Sequence, residues 1–98
     1  MHEHGLAREL WPQLQQIAEA KGLSKVTRID MTVGMLHGVT ADVLAHSFEH
    51  AFEGTAFEGA ETIITVVEPG DPMGTSTGES MTATGWELLI TRIEGEQA

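Results

Sequence analysis

The first four residues, Met1-His2-Glu3-His4, carry the densest set of metal donors in the chain. A histidine in second position turns a chain terminus into a preformed chelate. The free α-amine, the backbone nitrogen of His2 and the imidazole of His2 close two fused rings around one metal ion. With the backbone nitrogen deprotonated these donors lie in a plane. One in-plane position is left for Glu3, His4 or a ligand from a partner. Planar nitrogen-rich coordination favours Ni(II) or Cu(II) over tetrahedral Zn(II), and sequence alone does not choose between the first two.

A second constellation lies further along. His46-Ser47-Phe48-Glu49-His50 matches H-x-x-E-H, the inverted zinc-protease signature. Two histidines four apart share one helical face, and Asp42 extends that face by a turn. A hydrolase needs a third protein ligand and a substrate cleft as well, and a chain of 98 residues has little room for one. The histidines also lie opposite Leu44, Phe48 and Phe52, so a solvated helix face is expected. His37 reads as an exposed loop histidine.

Other schemes are weaker. Ser76 and Ser80 sit in a Gly/Thr-rich loop with no G-x-S-x-G elbow, and no phosphate-cradling glycine loop opens a helix. Met73 and Met81 are potential soft ligands for Cu(I) in the same loop and read as incidental. Without cysteine, thiol catalysis and thiolate metal sites are excluded. The chain therefore reads as something other than an enzyme.

The elements that must position these residues follow from periodicity. Leu6, Leu10, Leu14, Ile17 and Ala18 recur at helical spacing, predicting an amphipathic helix that runs to about Lys21 and stops at Gly22. Pro12 removes one helical hydrogen bond, so either the helix kinks there or its regular part starts near Trp11. Lys25 to Val33 alternates, with Thr27, Ile29, Met31 and Val33 on one face, and reads as a half-buried strand. Thr40 is the expected N-cap of a second helix, with Asp42 near its positive end. Its apolar stripe is Leu44, Phe48, Ala51 and Phe52, and Gly54 ends it.

Ala60 to Glu68 is the second strand and Trp86 to Glu94 the third. Between them, residues 69–85 hold two prolines and four glycines and read as a loop or short hairpin. The expected fold is α+β, in the order α-β-α-β-β. A right-handed parallel crossover from Lys25 to Glu68 places both helices on one face of a three-stranded sheet.

Composition bounds the partners. Folding buries about 64% of the extended chain's surface at this length, enough for one modest core in a single domain over residues 1–98. Apolar content of 41% argues against general disorder. Fifteen acids against five bases give a net charge of −10, which disfavours nucleic acid and anionic membranes and favours cations. No signal peptide or membrane-length apolar run is present, so the cytoplasm is the default compartment. The open edges of a three-stranded sheet leave a homodimer possible.

Several segments together resemble the HypA/HybF family of hydrogenase nickel-insertion accessory proteins. They are Met1-His2-Glu3 with Gly5-Leu6-Ala7, Val26-Thr27-Arg28-Ile29 into Val33-Gly34, and Gly38-Val39. Ser47-Phe48-Glu49, Gly54-Thr55-Ala56-Phe57-Glu58-Gly59-Ala60 and the closing run Trp86 to Glu94 continue the pattern. The likeness covers residues 1–68 and 85–96. It implies a nickel-binding domain built on the chain terminus, with His2 as the essential ligand and Glu3 adjacent. It also implies delivery of Ni(II) toward a hydrogenase large subunit, with a GTPase accessory protein as partner, and in some members a role in urease maturation.

The chain departs from that family in one respect. Members carry a zinc module of paired C-x-x-C motifs between the second and last strands. Here the 69–85 loop replaces it without a cysteine, so no structural zinc is expected. His4 adds a further nitrogen donor. Thr40 falls near the point where the family has acidic residues, and Asp42 lies two residues on. The expected function is that of a nickel metallochaperone-like protein holding Ni(II) through Met1, His2, Glu3 and His4. The alternative is a metal-free interaction or regulatory module that keeps the fold and docking surface only.

Overall fold

The strand β1 (Leu23–Gly34) is paired on both sides. It runs parallel to β2 (Glu61–Val67) and antiparallel to β5 (Leu88–Gln97), giving a three-stranded sheet in the order β2-β1-β5. Helix α1 (Glu3–Ala20) precedes β1, and helix α2 (Ala41–Phe52) carries the chain from β1 to its parallel neighbour. A hairpin of β3 (Pro72–Gly74) and β4 (Ser80–Thr82) stands between β2 and β5. This computed structural model describes residues 3–74 and 80–98, without the side chains of Glu3 and His4. The α+β class and the three-stranded sheet match expectation, with the hairpin realised inside residues 69–85.

One face of the sheet holds the core. Leu6, Leu10, Leu14 and Ala18 of α1 meet Val26, Ile29, Met31 and Val33 of β1 and Leu44, Phe48 and Phe52 of α2. The opposite face carries Arg28, Asp30 and Thr32, which remain partly open to solvent. Burying the apolar face of a sheet under two amphipathic helices is the ordinary solution for a chain of this size. Four aromatic rings tie the helices together. Trp11 stands 5.7 Å from Phe52 and 4.9 Å from Phe57, and Phe48 stacks on Phe52 at 5.4 Å.

Two local expectations need correction. Thr27 does not share the face of Ile29: it is exposed, whereas Val26 and Ile29 are both buried although three residues apart. The reason is a bulge. Val26 pairs with Gly95 and Arg28 with Glu94, so Thr27 is an extra residue opposite no partner and the alternation slips by one. Gly95 is required there, because a Cβ would lie 2.0 Å from the carbonyl oxygen of Lys25. Ala51 is likewise exposed, and buried Ser47 takes its place on the inner face of α2.

Pro12 lies inside an unbroken α1 that already begins at Glu3, so the later start near Trp11 does not occur. The residue is exposed, and water can serve the Arg8 carbonyl that lacks its helical donor. Helix α2 starts as its sequence dictates: the Thr40 hydroxyl accepts from the Val43 amide at 3.3 Å. The last strand begins at Leu88 rather than Trp86. The Glu87 carboxylate accepts from the amides of Thr84 and Gly85 at 2.7 and 2.9 Å, which curls the chain into a turn just before pairing begins.

The hairpin is closed at its root. Gly70 donates to the Ala83 carbonyl at 2.9 Å, Ala83 donates to the Asp71 carbonyl at 2.8 Å, and the Asp71 carboxylate accepts from the Glu68 amide. Ala83 itself is 4% exposed. Among the described residues, no helix is long and apolar enough to cross a membrane.

Candidate metal centre

The chelate expected at Met1 and His2 lies outside the described residues, as do the side chains of Glu3 and His4. What is described is the platform under it. The backbone of Glu3 and His4 forms the opening of α1, and Leu6 and Ala7, 0% and 4% exposed, fix that opening turn against the core. Burial of Leu6, Leu10 and Leu14 sets the rotation of α1 against the sheet.

A groove of about 390 Å³ lies between the helices, lined by Ala7, Arg8 and Trp11 of α1 and Ser47, His50 and Ala51 of α2. Ala7 and Arg8 are one helical turn from Glu3 and His4. Thr40 spends its hydroxyl on capping α2, and Asp42 stands exposed in the first turn. Among the described residues no three histidine or acidic side chains converge as a metal cluster.

The pair on α2 is closely spaced. His46 and His50 point into solvent, with side chains 69% and 60% exposed, as their position opposite the apolar stripe predicts. Their Nε2 atoms face each other at 3.3 Å, and their rings meet edge to face. The Nδ1 atoms stand 3.5 Å from a Glu49 carboxylate oxygen and 3.3 Å from one of Glu53. A hydrolase would require a third ligand beside this pair, and none converges there among the described residues.

His37 is half-buried rather than a free loop histidine. Its Nε2 lies 3.1 Å from the Trp86 carbonyl and its ring meets the Trp86 indole at 5.4 Å, joining the turn after β1 to the approach of β5. Met73 and Met81 are cross-strand partners in the hairpin, Ser80 begins β4, and Ser76 lies outside the described residues. Sequence reasoning overlooked Glu87, which accepts three hydrogen bonds from Thr84 and Gly85. The signal was present in Thr84-x-x-Glu87, the spacing of a capping box.

Comparison with known proteins adds independent findings. The family described as "HypA: Hydrogenase/urease nickel incorporation, metallochaperone, hypA" matches residues 1–70. The hydrogenase maturation factor HypA of Azorhizobium caulinodans is 31% identical over 64 residues, covering 65% of this chain and 57% of that protein. The HypA of Chlorobaculum tepidum is 39% identical over a stretch with the same two shares. These matches span just over half the length of such relatives. That of Psychromonas ingrahamii is 30% identical over 109 residues, 99% of this chain and 91% of its own length. The solution structure of the Ni metallochaperone HypA from Helicobacter pylori shares the fold, with a TM-score of 0.68 at 14% identity and full coverage of both chains.

Proposed function

The chain belongs to the HypA family, and on that premise we propose that it is a nickel metallochaperone-like protein for hydrogenase maturation, holding Ni(II) at the N-terminus through His2. The match over residues 1–70 carries this reading, because it includes the donor tetrapeptide together with both helices and the first two strands that support it. The proposed ligands are the Met1 amine, the His2 backbone nitrogen and the His2 imidazole, completed by Glu3 or His4. An open terminal site suits a carrier, since a partner's ligands can replace its donors one at a time. The positive end of α1 opposes a cation by at most about 1 kcal/mol, small beside the roughly 8 kcal/mol that micromolar binding represents.

In the same reading residues 1–98 act as one nickel-binding-type domain in the cytoplasm. Its partners are a hydrogenase large subunit and a GTPase accessory protein, and a homodimer through an outer strand edge is compatible with them. The protein carries metal as cargo and catalyses no reaction. A second reading, a metal-free interaction module, is favoured by one observation: the chain has no cysteine for the family's zinc module.

Titration of Ni(II) into the native chain, into His2→Ala and into a chain extended ahead of Met1 separates the readings. Planar coordination through a deprotonated backbone nitrogen gives a visible absorption band, expected for the native chain alone. Equal bands from native and extended chains would sink the terminal chelate. No micromolar binding by any of the three would favour the interaction module.

A further inference from the structure

We propose that His46 and His50 form a second metal site on α2, for a divalent first-row ion that takes imidazole nitrogen in tetrahedral geometry, of the Zn(II) class. The site uses none of the N-terminal donors and stands whether or not the terminal chelate does.

Each Nδ1 faces a carboxylate, of Glu49 at 3.5 Å and of Glu53 at 3.3 Å, and a carboxylate can only accept. Either ring can carry its proton on Nδ1, toward its carboxylate, or on Nε2, toward the other ring. The two Nε2 atoms face each other at 3.3 Å, within reach of a hydrogen bond from one ring to the other. A metal ion placed between them would take the lone pair of each once both protons sit on Nδ1. An imidazole whose far nitrogen donates to a carboxylate is also the usual arrangement of a histidine metal ligand, because the carboxylate fixes the ring and raises its basicity.

Geometry then selects the ion. A metal about 2.05 Å from both nitrogens would see them at roughly 107°, close to tetrahedral and well above the 90° of a planar site. Positions four apart on a helix hold the rings on one face without strain elsewhere, so the second ligand comes at high effective concentration. Two coordination positions are left for water or for side chains of a docked protein. Charge favours occupancy: Glu49 and Glu53 flank the pair and the chain as a whole is at −10. Arg8, which shares the inter-helix groove with His50, is the base facing it from α1.

The test is Zn(II) added to the full chain, followed by calorimetry and by the assigned imidazole resonances of its five histidines. The resonances of His46 and His50 should move together and saturate at one equivalent. His46→Ala and His50→Ala should each weaken that event at least about tenfold through loss of the chelate. His2→Ala should leave it in place. Unchanged circular dichroism should accompany the two helix variants, since His46 and His50 are exposed. Resonances that stay unmoved up to about 1 mM Zn(II) would overturn the site. Undiminished binding in both alanine variants, or loss of the shifts in His2→Ala, would overturn it equally.

Discussion

The Glu87 carboxylate serves three donors at once, the Thr84 amide, the Thr84 hydroxyl and the Gly85 amide. These hydrogen bonds, the Thr84 amide foremost, hold its pKa below the ordinary glutamate value of 4.5. A carboxylate with a depressed folded-state pKa stabilises the fold above its unfolded value and loses that contribution as pH falls through the folded one. Glu87→Gln should therefore lower the Tm at pH 7, and the gap from the parent should close as pH drops below 4.5. Calorimetric scans across that range check it, and a gap constant down to about pH 3 would remove the electrostatic account. The same residue marks a limit of sequence reading. The chelate proposed at His2 was read from chain position alone, whereas Glu87 was overlooked although the Thr84-x-x-Glu87 spacing signals its turn.

At the scale of elements, spacing was enough to place both helices and all three strands of the main sheet. Leu6, Leu10 and Leu14 recur every fourth residue, and Thr40 caps α2 as its type suggests. The bulge at Thr27 was not legible, because it is a property of the pairing with β5 and not of β1 alone. Pro12 was legible only as a conflict, which packing on both sides of it resolved in favour of an uninterrupted helix: Leu10 and Leu14 are both buried. Since Pro12 is exposed, Pro12→Ala should restore the bond to the Arg8 carbonyl at no loss of packing. The expected gain is about 1–3 kcal/mol, read as a higher urea midpoint at unchanged slope. A lower midpoint would mean that the ring supports the helix in a way its exposure does not suggest.

The whole molecule carries fifteen acids and five bases. Among the described residues the shortest ion pairs, Arg28–Asp30 at 2.8 Å and Arg92–Glu94 at 2.7 Å, lie on the open face of the sheet, where such pairs contribute about 0–1 kcal/mol. Repulsion among the remaining acids outweighs them, so screening should stabilise the fold. Raising NaCl from about 10 to about 300 mM should increase the Tm, and a fall would show that the local pairs dominate instead. The rungs joining Gly70, Asp71 and Ala83 shut the chain before the hairpin strands begin. Whatever runs between Gly74 and Ser80 is thus spliced in beyond a closed junction, and doubling a flexible insert there adds only about 0.6 kcal/mol of closure entropy. A longer or shorter head grafted at that point should therefore leave the register of the three-stranded sheet unchanged.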